Sequence, residues 1–111
     1  INHNKSLIKA GVNFLEFAEQ SWKLPDNCYD NHYPCIIHGV GLCDEWPFVA
    51  YPNKDFSNSD YSACFEENMT ICVESYIGEV GGKEGIKLED QFLVTKDGLK
   101  QLSSFPYEYS N

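Results

Sequence analysis

Basic residues are scarce in this chain. Eight Lys+Arg face seventeen Asp+Glu over 111 residues, a formal net charge of −9. No Lys/Arg cluster is present to track a phosphate backbone, so nucleic acid is not an expected partner. Nor is there a basic amphipathic stretch suited to an anionic membrane surface. No apolar run approaches the ~20 residues that a membrane span requires. Internal repeats, low-complexity segments and interdomain linkers are also missing. The five cysteines (Cys28, Cys35, Cys43, Cys64 and Cys72) contain no C-x-x-C pair and cannot pair off completely. That argues against a zinc ribbon or a redox motif, and for reduced thiols in the cytoplasm. Two glycosylation-type tripeptides, Asn4-Lys5-Ser6 and Asn68-Met69-Thr70, are too short to outweigh it. The chain opens Ile1-Asn2-His3-Asn4, with neither an initiator Met nor a charged-then-apolar leader. It therefore reads as the C-terminal part of a longer protein.

A hydrophobic content of 42%, a third of it aromatic at 14%, is enough to build a core. Leu7 and Ile8 lie near a helix end that Gly11 is placed to terminate. Asn13 with Glu16 forms a capping box for a helix whose Phe14, Leu15, Phe17, Ala18 and Trp22 recur at helical spacing, ending near Pro25. Residues 26–34 read as loop, 35–42 as a short strand punctuated by glycine, and 47–60, with two prolines, as a long loop. Residues 69–77 and 85–95 read as an antiparallel pair connected through Gly78, Gly81 and Gly82. Asp97-Gly98 makes a turn into a short last element at 99–102.

Acidic residues interrupt the apolar strands. Glu74 stands within Ile71-Cys72-Val73-Glu74-Ser75-Tyr76-Ile77, and Glu89 shares a strand face with Lys87 and Gln91. A carboxylate is costly to bury without a cation or hydrogen bonds to compensate it. A solvated face explains one such residue. Two on paired strands, with His38 on a glycine-flanked strand, are also a ligand set for a hard or borderline divalent metal.

Order, spacing and flanking residues sharpen this. His38-Gly39-Val40-Gly41-Leu42, then Glu74, then Leu88-Glu89-Asp90 fifteen residues on and Leu93-Val94-Thr95, resemble the C-terminal half of the creatinase/aminopeptidase-P/prolidase family over nearly the whole chain. The resemblance implies an α+β chain, the C-terminal portion of a pita-bread fold, with a curved antiparallel sheet and flanking helices. It implies that residues 1–111 are a partial metal-binding catalytic domain. His38, Glu74 and Glu89 would be metal ligands, and two aspartate ligands would lie upstream of Ile1. Two departures stand out. Glu45 occupies the place where the family's peptidases usually carry a second histidine, and Glu74-Ser75-Tyr76 replaces their Glu-Pro-Gly.

Tyr33-Pro34, Asp44-Glu45-Trp46-Pro47 and the run from Glu74 through Ser75-Tyr76-Ile77-Gly78 to Gly82 are similar to a narrower branch, the DddP-type dimethylsulfoniopropionate lyases. That similarity implies β-elimination of a small sulfonium substrate to dimethyl sulfide and acrylate. It further implies a centre of two divalent metal ions, with iron expected and zinc or manganese as alternatives, in a homodimer. Asp44 would be the catalytic acid/base, Tyr33 an active-site tyrosine and Trp46 a substrate-binding ring. Phe48 and Tyr51 are further aromatic candidates for cation–π contact with the sulfonium. The other readings are an Xaa-Pro metallopeptidase of the aminopeptidase or dipeptidase type, and a homologue that keeps the fold but only binds.

Overall fold

A five-residue helix, α1 (Asn2–Ser6), opens the computed structural model, which describes residues 1–52 and 61–107 apart from the Glu45 side chain. Asn13 then caps α2 (Phe14–Gln20): its Oδ1 accepts from the Leu15 and Glu16 amides at 2.9 and 3.4 Å. The Asn13 amide nitrogen also donates to the Tyr61 and Ala63 carbonyls, tying the helix start to the segment before Phe65. The helix stops earlier than its apolar spacing suggests. Ser21 leaves helical geometry and donates its hydroxyl to the Ala18 carbonyl at 2.8 Å, while Lys23 takes the carbonyls of Ala18 and Glu19. Phe14, Phe17 and Ala18 are buried as expected, but Leu15 and Trp22 are exposed, so the core stripe is narrower than the sequence pattern.

Two further departures concern segments read as loop. Residues Asp26–Asn31 form a 3-10 helix, held by Asn27 and Asn31 side chains that donate to Glu79 and to the Gly78 and Glu79 carbonyls. The expected loop from Pro47 begins instead inside a strand, Asp44–Val49; its residues 53–60 lie outside the described residues. Proline is tolerated there because the strand is at the sheet edge, where a missing N–H costs no internal ladder bond.

The strands are β1 (Ile37–Val40), β2 (Asp44–Val49), β3 (Thr70–Gly78), β4 (Gly85–Thr95) and β5 (Gly98–Gln101), joined in one antiparallel sheet of order β2-β1-β3-β4-β5. β3 and β4 pair in unbroken register from Thr70↔Leu93 to Gly78↔Gly85. At the far end the Tyr76 ring lies over Gly78 and Gly85, where a Cβ on either glycine would collide with it. A register shift between His38 and Gly39 kinks β1 against β2.

Strand alternation sorts the side chains onto two faces. Ile37, Val49, Ile71, Val73, Phe92 and Val94 face α2 and Phe65 and form the core. Phe65 meets Phe14 and Phe17 edge-on, at centroid distances of 4.7 and 5.5 Å. Asp90 is also buried on this side, accepting from Gln101, Ser103 and Tyr107, which pins the segment after β5 to the sheet. No helix among the described residues is long and apolar enough to cross a membrane. Phe65→Ala is expected to cost about 3–5 kcal/mol in urea unfolding, and Phe65→Leu clearly less, because the first empties the space between two fixed rings.

Candidate metal centre

The opposite face of the sheet carries the ionisable residues. Glu74 and Glu89 are directly opposed across β3 and β4, and His38 is opposed to Cys72 across β1 and β3. The period of two therefore puts an imidazole and two carboxylates from three adjacent strands on one surface. His38 Nε2 lies 3.2 Å from Glu89 Oε1 and 3.8 Å from Glu74 Oε1. Glu74 is fully buried.

Two charged neighbours complete the cluster. Lys87 Nζ, two residues before Glu89 on β4, lies 2.7 Å from Glu74 Oε2 and 3.2 Å from Glu89 Oε2. It stands off hydrogen-bond geometry at Glu74 Oε2, leaving that buried oxygen with a charge partner and no hydrogen bond. Burial works against the Lys87 ammonium, but Glu74 and then Glu89 more than reverse it and hold its pKa above the usual lysine value. Burial likewise works against the Glu89 carboxylate, yet the Cys72 thiol and Lys87 hold its pKa below the ordinary value. Asp44, at the start of β2, brings Oδ1 to 3.6 Å from His38 Nδ1, with its side chain 83% exposed.

Thiols supply donors from beneath. Cys35 Sγ donates to Glu74 Oε1 at 2.9 Å, and Cys72 hydrogen-bonds Glu89. Burial, reinforced by the adjacent glutamates, pushes the Cys35 thiol up and the Cys72 thiol up to about 12, so both are protonated donors. All five cysteines are free.

Do these residues fit a divalent ion? His38 Nδ1 lies 3.1 Å from the Gly39 carbonyl, which can only accept, so this contact assigns a proton to Nδ1. In the neutral tautomer the lone pair of Nε2 then points at two carboxylate oxygens. The donor atoms that all lie within 4.8 Å of one another are those of His38, Cys72 and Glu89, with a Glu74 oxygen 3.8 Å from the same imidazole nitrogen; a ring N–H held by a carbonyl is how ligand histidines are oriented. Glu74, Glu89 and Asp44 against Lys87 leave a formal charge of −2. The donor set fits. Beside it a cavity of about 330 Å³ is lined by Tyr33, Cys35, His38, Asp44, Trp46, Phe48 and Glu74.

The structure thus brings His38, Glu74 and Glu89 together and sets Asp44, Tyr33 and Trp46 around the adjoining cavity. The Tyr33 ring is covered by Lys87, whose Nζ lies 4.0 Å from its centroid, and the Trp46 ring leans on Phe14 at 5.6 Å. Tyr51 is buried in the core, with Glu74 and Cys35 among the groups that act on its hydroxyl. Glu45 pairs its backbone with Gly39. Sequence reasoning passed over Lys87, Cys35, Cys72 and the position of Phe48. A lysine two residues before a strand glutamate on the same face was the available signal for the first.

Comparison with known proteins shows what the chain is similar to. The sequence pattern of metallopeptidase family M24 matches residues 2–96. The chain is 45% identical over 105 residues to a dimethylsulfoniopropionate lyase DddP from Roseovarius nubinhibens, covering 95% of this chain and 23% of that protein. It is 43% identical over 108 residues to the DddP of Roseobacter denitrificans, covering 97% of this chain and 24% of that one. It thus spans about a quarter of the length of the curated relatives it matches. An Xaa-Pro dipeptidase from Bacillus anthracis superimposes with a TM-score of 0.71 at 24% identity, over 96% of this chain and 28% of its own. That likeness shows the fold, the α+β pita-bread architecture expected from the sequence.

Removing the ammonium tests the charge balance. Lys87→Met is expected to lower metal-free stability by about 2–3 kcal/mol in urea unfolding. That is below the 3–5 kcal/mol typical of a fully buried pair, because water reaches the Lys87 side chain. Added zinc or manganese should restore most of the loss; an unchanged midpoint in the metal-free variant would show that Glu74 is compensated by other groups.

Proposed function

The chain belongs to metallopeptidase family M24, and on that premise we propose that the full-length protein is a metal-dependent dimethylsulfoniopropionate lyase. It cleaves its substrate to dimethyl sulfide and acrylate, as a cytoplasmic homodimer, with residues 1–111 supplying part of the catalytic domain. The carrying observation is the convergence of His38, Glu74 and Glu89 beside a cavity edged by Asp44, Tyr33 and Trp46. Identity of 45% to a protein named for this activity supports the choice of reaction. So does Glu45 in the place of the peptidases' second histidine.

In this reading His38, Glu74 and Glu89 hold divalent metal, iron by preference, with two upstream aspartates completing a two-ion centre. Metal held by these residues would supply positive charge to hold the substrate carboxylate and to stabilise negative charge developing at its α-carbon. Asp44 is the base. Its carboxylate takes the α-proton, the C–H electron pair becomes the new carbon–carbon double bond, and the carbon–sulfur bond breaks. Dimethyl sulfide leaves with that bond's electron pair, neutralising the sulfonium. No oxidant, reductant or water is consumed. The exposed Asp44 carboxylate is free to turn into the cavity, and its contact with His38 keeps it at the metal edge. Tyr33, fixed against Lys87, offers its hydroxyl at the same rim, and Trp46 contributes wall.

Offering the purified full-length protein dimethylsulfoniopropionate and an Xaa-Pro dipeptide separately is expected to yield dimethyl sulfide from the first. Proline from the second without dimethyl sulfide would reverse the assignment in favour of a peptidase. Asp44→Asn is expected to lower turnover by about 10²–10⁴-fold, with metal content unchanged by elemental analysis; loss of metal with activity would make Asp44 a ligand instead.

A further inference from the structure

The cavity beside the metal centre has two chemically distinct ends. Lys87 stands behind one, outside the lining, where its ammonium covers the Tyr33 ring and bridges the two glutamates. β2 forms the other with Trp46 and Phe48, residues 53% and 39% exposed, and with the Asp44 carboxylate at its start. Phe48 is the Cα partner of His38 across the β1–β2 pair, which puts both on the same face. Of the four aromatic residues near the site, Tyr33 already has a cation on its ring and Tyr51 is in the core. That leaves Phe48, and the part of the Trp46 ring not turned to Phe14, as the open aromatic surface.

We infer that Phe48, with Trp46, is the specificity-determining wall that selects an onium group, so the cavity takes small zwitterions with a carboxylate at one end and a sulfonium or quaternary ammonium at the other. A cation without N–H donors cannot hydrogen-bond, so aromatic faces and a nearby carboxylate are what recognise it. Both are present at the β2 end. Repulsion from Lys87 disfavours the reverse orientation, which would bring the onium group to the ammonium. The wall sets the substrate's direction: carboxylate toward His38, Glu74 and Glu89, onium toward Trp46 and Phe48, and the carbon between them past Asp44. This inference rests on the metal-centre reading for the carboxylate end only.

The test compares two probes that the enzyme cannot cleave by loss of dimethyl sulfide. One is a trimethylammonio-propionate, the other its carbon isostere, in which a neutral tert-butyl group replaces the cation. Calorimetry on the full-length metal-loaded protein is expected to show the charged probe binding about 3–30-fold more tightly. Phe48→Leu should bring that ratio toward one while the neutral probe's affinity stays nearly constant, and Phe48→Tyr should keep it. A ratio near one in the unaltered protein overturns the inference, as does a ratio unmoved in both Phe48→Leu and Trp46→Leu. Equal loss of both probes in these variants also counts against it, since it marks damage to shape rather than to charge recognition. The lyase reading is scored separately. Charged-probe preference without dimethyl sulfide from dimethylsulfoniopropionate leaves the wall standing and removes the reaction; dimethyl sulfide with a ratio the variants do not move does the reverse.

Discussion

Glu74 and Glu89 face each other across two hydrogen-bonded strands, and like charges in that position repel. Glu74 is also fully buried, so neither distance nor solvent relieves the repulsion. Positive charge has to come from elsewhere, and much of the surrounding face is arranged to supply it. Lys87 takes one oxygen of each carboxylate, and His38 faces the other oxygen of each. Cys35 and Cys72 add a thiol donor to each glutamate from beneath. Even so the cluster keeps a negative formal charge once Asp44 is included. A sheet that served only to fold would gain stability by replacing these groups with apolar ones of the same volume. Keeping them makes sense as the cost of a cation site.

The two faces divide the labour. Residues 89 and 90 are neighbours in sequence, yet the strand period sends Glu89 to the metal side and Asp90 to the core side. Asp90 is buried without a cation, but three donors from β5 and the segment after it satisfy its oxygens. The same residue type is thus handled by hydrogen bonding on one face and by charge on the other. The long unbroken β3–β4 register gives Glu74 and Glu89 a rigid base. Packing of Phe14, Phe17 and Phe65 behind it resists the separation that their repulsion favours.

How far this was readable from the residues depends on how local each determinant is. The β3–β4 pair was legible because its alternation runs over nearly ten residues and its connection is rich in glycine. The surface shared by Glu74 and Glu89 followed from that pairing, and His38 stood out between glycines. β2 was not legible, because Pro47 reads as a breaker unless its strand is known to be an edge, which is a property of the whole sheet. The same blindness hid Phe48, whose place beside His38 depends on a register that residues 35–49 do not announce. Lys87 looked like an ordinary solvent-facing lysine, since only the register brings its ammonium onto Glu74. Cys35 and Cys72 looked like inert thiols, because donors that matter through a three-dimensional neighbour carry no spacing signal.

Those blind spots fall along one line through the fold. Central strands β1, β3 and β4 carry the groups suited to holding a cation, and they are fixed by pairing on both sides. Edge strand β2 carries Asp44, Trp46 and Phe48, and among the described residues it pairs only with β1. An edge strand tolerates proline and a register shift without disturbing the interior ladder. Its side chains are therefore free to vary while the ligand set stays put. The departures from the peptidase pattern agree with that division in part: Glu45 lies on β2, whereas Ser75-Tyr76 lies on β3 and follows a ligand directly. Tyr76 there covers two glycines at the end of the β3–β4 pair, a packing role that Pro-Gly could not fill. The β3 departure is thus absorbed by structure.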